Sequence, residues 1–147
     1  MTLRALAAAA AMITASTFTA WALYITLVEH PARLDSGAAA GRAQFRPSYR
    51  RAAPWQASFA VLAFATGLLA AALTARWAWL IGALALGSVV PLTLAVIRPI
   101  SRRLLDADAL GDDEVLGLLR TWGRLHALRT ALGSIGVVAF LLALRMR

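Results

Sequence analysis

The sequence predicts an all-α fold, an integral membrane antiparallel four-helix bundle with two long loops on one side. Three observations predict it. Of the 147 residues, 61% are hydrophobic and only 15% are charged. The stretches Ala5 to Val28, Ala52 to Ala75 and Trp77 to Ile97 carry no charge at all, and about 20 apolar residues span a bilayer core. A fourth stretch, Thr130 to Leu144, reaches spanning length only if Leu125 to Arg129 are included. That inclusion draws His126 and Arg129 to the edge of the hydrocarbon, where charged groups are costly unless they face the bundle interior, pair or snorkel. A single domain therefore covers residues 1–147, with helices at about 3–29, 54–75, 77–97 and 113–144.

The first helix is expected to run from Leu3 to Glu29 and to stop at Pro31, because the residue before a proline is pushed out of helical geometry. Its basic start and alanine run imitate a signal peptide, but the apolar stretch continues through Trp21 to Ile25 and favours a retained span. Ala32 to Ala53 is rich in glycine and arginine and reads as a long loop with a short helical piece near Ala38 to Phe45. Pro54 suits the first turn of helix two, where its missing N–H costs nothing. Arg76, Trp77 and Trp79 mark a tight turn into helix three, which Pro91 is expected to kink. Asp112, Asp113 and Glu114 suit the positive end of a helix dipole and open a long fourth helix. Along it Trp122, His126, Arg129 or Thr130, and Gly133 recur at three- or four-residue steps and share one face.

The absence of cysteine excludes disulfides, thiolate catalysis and cysteine-ligated metals. The net charge of +8 comes from 15 arginines without a single lysine. Clustered at segment ends, they suit lipid headgroups, not nucleic acid. Arg4, Arg76, Arg145 and Arg147 lie on one side of the membrane and the other arginines on the opposite side, with all the acidic residues. Counting basic residues places the two loops in the cytoplasm; the expected membrane is the plasma (inner) membrane. The acidic run Asp106 to Glu114 lacks the alternation of a calcium loop and reads as a solvated helix start. Catalytic serine triads, phosphate loops, zinc helices and dinucleotide fingerprints are absent.

The two histidines stand in matching contexts. Glu29-His30-Pro31-Ala32-Arg33 closes the first apolar run, and Leu125-His126-Ala127-Leu128-Arg129 leads into the last. Both His-x-x-Arg pairs fall on the same face of the bilayer. Histidine titrates near neutrality and arginine is a permanent cation suited to oxyanions. The candidate catalytic residues are His126, His30, Arg129, Arg33 and Glu29, with Trp122, Tyr24 and Arg98 as candidate substrate contacts. For Arg98, which could complete a cationic rim, the plain topological anchor is the favoured reading.

The segment Tyr24 to Leu34 resembles the first motif of small four-helix membrane proteins related to anthrone oxygenases. Pro54-Trp55, Pro91-Leu92-Thr93, the Pro99 turn and Leu119 to Thr130, with its Trp-x-x-x-His-x-x-Arg-Thr, fall where that family has similar residues. The chain departs from the pattern at Ser101, where members often have asparagine, and a hydrogen-bonding role is not carried over to that position. The resemblance implies oxidation of an anthrone-like polyketide by molecular oxygen. A flat, apolar phenol would partition into the bundle, His126 would abstract a proton as the neutral base, and a protonated His30 beside Glu29 would steady the enolate. No cofactor is then required. Two alternatives stand beside this reading: a haem or metal protein with His30 and His126 as ligands, and a non-catalytic membrane subunit or carrier. Expected partners are a small hydrophobic aromatic substrate, O2 and membrane lipid; a homo-oligomer remains an open alternative.

Overall fold

Four helical rods run Leu3–Asp35, Gly37–Thr74, Trp77–Leu105 and Asp112–Arg145, each long and apolar enough to cross a membrane. The computed structural model describes residues 2–145. Met1, Met146 and Arg147, the last grouped above with the chain-end cations, lie outside the described residues. The first rod comprises α1 (Leu3–Tyr24), a π-helical turn (Ile25–Glu29) and α2 (His30–Asp35), and the second is α3 (Gly37–Thr74). The third joins α4 (Trp77–Leu92), a second π-helical turn (Thr93–Ile97) and α5 (Arg98–Leu105). A 3-10 turn (Ala107–Ala109) leads to the fourth rod, α6 (Asp112–Arg145). Each rod packs on its sequence neighbours, and α1 closes the ring against α6.

The expected long loop from Ala32 to Ala53 is helical, and helix two begins at Gly37, not near Pro54. Its glycines and arginines are compatible with helix once Phe45, Gly41 and Ala38 find a core to pack on. The second long connection is likewise mostly α5. Nor does Pro31 end the first helix. In the π-helical turn before it the His30 N–H donates to the Ile25 carbonyl, one residue further back than in an α-helix. The third rod repeats the device, with the Arg98 N–H donating to Thr93 just before Pro99. Each wide turn shifts the hydrogen-bond register where the following proline has no N–H to offer, and the helix carries on. Pro91 also sits inside a continuing helix.

The 38 residues of α3 span about 57 Å, well beyond a hydrocarbon core of about 30 Å. The rods therefore continue past the membrane on one side as a helical crown built from α2, the first turns of α3 and α6, and α5. Two cores follow. In the membrane half small residues face inward, including Ala7, Ala11, Ala15, Ala63 and Ala70, while Ile13, Leu62, Leu84, Val138 and Leu142 are exposed. This is the arrangement of a bundle solvated by lipid, where close backbone approach replaces hydrophobic collapse. In the crown, Phe45, Ile97, Leu104, Leu119 and Trp122 pack conventionally. The chain is thus a multi-pass integral membrane protein with an all-α four-helix bundle fold.

Between α3 and α4, Ala75 adopts left-handed geometry at φ 55° and its N–H donates to the Ala71 carbonyl. A non-glycine residue there carries a steric cost of about 1 kcal/mol, and the Ala75 side chain is exposed. Ala75→Gly is expected to raise stability by about 0.5–1 kcal/mol, read as a higher melting temperature in detergent. A lower one would contradict this turn geometry.

Candidate functional site

About 20 residues counted from the chain-end side of each rod bring the hydrocarbon boundary close to Tyr24, Trp55, Ile97 and Leu125. The face of α6 that carries the His-x-x-Arg pair is buried at this level: Trp122, His126, Arg129, Thr130 and Gly133 all turn inward. Helical spacing anticipated that face, and the other three rods supply what it meets.

Trp122 touches every rod. Its ring stacks on His126 at 4.8 Å between centroids and lies 5.4 Å from the His30 ring of α2 and 5.2 Å from Phe45 of α3, which meets it edge-on. Its Nε1–H donates to Ser101 Oγ of α5 at 3.1 Å, and that hydroxyl donates to the Ile97 carbonyl. A serine thus does make a hydrogen bond where no such role was carried over from the family pattern.

The Glu29–Arg33 end is a closed polar knot. Arg33 Nη2 donates to Glu29 Oε1 at 2.6 Å, Arg33 Nε donates to Gln44 Oε1, and Gln44 and Ser48 also donate to Glu29 Oε1. Arg33 Nη1 faces His30 Nδ1 at 3.4 Å. Because a guanidinium only donates, Nδ1 must present its lone pair. His30 is therefore neutral in this arrangement, contrary to the protonated partner expected from Glu29 beside it. The two histidines do approach a common tryptophan, but His30 stands behind Trp122 and does not line the cavity that His126 enters.

His126 is 1% exposed, with Nε2 unpartnered. Its Nδ1 lies 3.1 Å from Thr26 Oγ1, and Thr26 lies 2.8 Å from Thr130 Oγ1. Thr130 also lies 3.3 Å from the Ala22 carbonyl and 3.2 Å from that of His126, and a proton given to either sets the direction of the chain. Thr130 then accepts from Thr26, and Thr26 accepts from His126 Nδ1–H. The opposite direction would bury an Nε2–H without a partner, the costlier fault. The favoured direction gives the Nδ1–H tautomer and leaves Nε2 as an unpartnered lone pair on a residue that lines the cavity.

Arg129 is 6% exposed, and its Nη2 donates to the neutral amide oxygen of Gln56 at 3.0 Å. Its guanidinium carbon sits 5.6 Å from the centre of the Phe18 ring, and its Nε has no partner. None of the ion pairs among the described residues includes it. Arg129 and His126 line one cavity with Gln56, Tyr49, Glu29 and Arg33. A cation without an anion, next to an imidazole lone pair, suits a ligand that arrives neutral and becomes an oxyanion.

Two candidates lie elsewhere. Tyr24 is 55% exposed on the outer surface, and Arg98 is exposed at the start of α5. Two residues apart on a helix, Tyr24 and Thr26 point to opposite sides, and it is Thr26 that meets His126 of α6. Sequence reasoning missed Thr26, Gln56, Gln44, Ser48, Tyr49 and Phe45. Gln56 was findable as the lone amide in an otherwise apolar stretch; Gln44 and Ser48 were hidden by reading their segment as a loop.

The Nε2 edge of His30 rests on Gly123, where an added Cβ would fall 2.1 Å from Nε2. Gly123→Ala is expected to displace the imidazole and cost about 1–3 kcal/mol of stability. His30→Ala in the same chain should recover most of that loss. Equal stability of Gly123→Ala and the wild type would contradict the packing.

No curated protein and no solved structure matches the chain. The anthrone oxygenase family model matches residues 45–139, about two thirds of the sequence, from the crown part of α3 through the buried face of α6. The Glu29–Arg33 motif lies before that match. The chain belongs to the anthrone oxygenase family.

Proposed function

We propose that this protein oxidises an electron-rich aromatic substrate of the anthrone class with molecular oxygen at the crown-side membrane interface. One observation carries the reading: Arg129, a buried cation without an ion-pair partner, lines the same cavity as His126, whose Nε2 has no protein partner. Family membership supports the chemistry.

The sequence of events needs no group beyond substrate and oxygen. His126 Nε2 takes a proton from the doubly benzylic CH2, and the electron pair delocalises onto the ring-ketone oxygen. Arg129 holds that oxyanion, with Gln56 fixing the guanidinium. The carbanion transfers one electron to O2, and recombination forms a C–O bond to give a hydroperoxide after reprotonation. Loss of the remaining C–H proton and of hydroxide from the O–O bond leaves the second ketone and one water. His126, held by Thr26 and Thr130, serves as the proton carrier. Arg33 is neutralised by Glu29 and keeps His30 and Phe45 in place around Trp122; these act as positioning residues. The crown, rich in arginine, is assigned to the cytoplasmic side of the plasma membrane.

The haem or metal alternative suits the geometry less well. His30 directs Nδ1 to Arg33 and packs Nε2 against Gly123, so it turns no lone pair toward His126.

The test is oxygen uptake by the purified protein with anthrone or a hydroxylated anthrone. His126→Ala and Arg129→Gln are each expected to lower kcat by about 10²-fold or more. Thr26→Val should lower it by about 10-fold through loss of the favoured tautomer, with Thr26→Ser restoring it. Full activity in both His126→Ala and Arg129→Gln would overturn the proposal.

A further inference from the structure

The cavity holding His126 is small, about 20 Å³, room for one or two waters. A second cavity of about 90 Å³ lies between α3 and the end of α4, and shares Tyr49, Ala53 and Arg129 with the first. Its walls are apolar. Ala53, Ala57 and Ala60 recur at helical steps along α3 and leave a flat floor, opposite Val90, Thr93 and Leu94. Val61 and Leu94 are 49% and 55% exposed, so the crevice opens on the outer, lipid-facing surface. At its inner end stands Arg129, more than nine-tenths buried and with Nε unpartnered.

We propose that the crevice between α3 and the α4 end is the lateral entry and binding groove for a planar polycyclic phenol or ketone drawn from the bilayer. The ring system enters lengthwise along the alanine floor, and past Tyr49 its central ring lies with the ketone oxygen on Arg129 and the opposite CH2 edge toward His126. This rests on the aromatic oxidase reading and names where its substrate is held. The physical argument is one of size and charge. With Tyr49 in place the inner cavity has no room for rings and the outer one does not reach His126; the two meet at Arg129 and Tyr49, so moving Tyr49 joins them. A ligand with an apolar body and one oxygen at its edge fits both at once, provided Tyr49 swings aside. The second π-helical turn begins at Thr93, in the crevice wall, where the wider backbone keeps α4 from closing against the alanines.

The experiment measures binding of 1,8-dihydroxyanthraquinone to the intact protein in lipid nanodiscs by its visible absorption, which reads occupancy without turnover. Ala57 is exposed at the crevice, so a larger side chain there enters the groove without displacing packed neighbours. Ala57→Phe is expected to weaken binding at least 10-fold and to raise KM for an anthrone more than it lowers kcat. Leu62→Phe, which adds bulk on the outer face, should leave both unchanged. Unaltered binding in Ala57→Phe, with binding lost in Ala52→Phe beside the inner cavity, would overturn the lateral groove and leave the oxidase reading intact. No binding and no oxygen uptake by the wild type would overturn both.

Discussion

An arginine held at the hydrocarbon boundary without a carboxylate is the constraint around which this bundle is arranged. Burying a lone charge there is unfavourable, so the fold must surround Arg129 with weaker compensation. Gln56 accepts one N–H, and the Phe18 ring lies close to the guanidinium. Neither cancels the charge. The contrast with Arg33 is instructive, since Gln44, the His30 lone pair and Glu29 give each nitrogen of that guanidinium a partner. One arginine serves architecture, and the other is left with binding capacity.

The architecture that keeps the two apart depends on the helix defects. Two π-helical turns stand at the same level in the first and third rods, each directly before an X-Pro step. On the first rod the wide turn holds Thr26, which reaches His126. On the third it lies between the apolar crevice and Ser101, which receives Trp122. Trp122 then joins crown and membrane cores. Its ring carries His126 on one contact and Phe45 on another, so the base is positioned from residues of all four rods.

Much of this was legible in residue pattern. Charge-free lengths and the inclusion of Leu125 to Arg129 gave four spans, and three- to four-residue spacing gave the buried face of α6. The crown was not legible, because Gly37, Gly41, Pro47 and the arginines of residues 32–53 carry loop propensity, which tertiary packing overrides. Pro31 and Pro99 misled for a related reason: a proline bars the α-helical hydrogen bond but not a π-helical turn ahead of it. The paired His-x-x-Arg motifs suggested equivalent histidines. The fold makes them unequal, since Pro31 follows one in the crown while the other faces α1 across a threonine pair.

The central claim is that Arg129 waits for an anion formed beside His126. The most direct measurement is the visible spectrum of a hydroxyanthraquinone bound to wild type and to Arg129→Gln, at a pH where the free dye is a neutral phenol. The account expects the red-shifted phenolate band in the wild-type complex and the neutral band in Arg129→Gln. A neutral spectrum in both, with the dye bound, would contradict it.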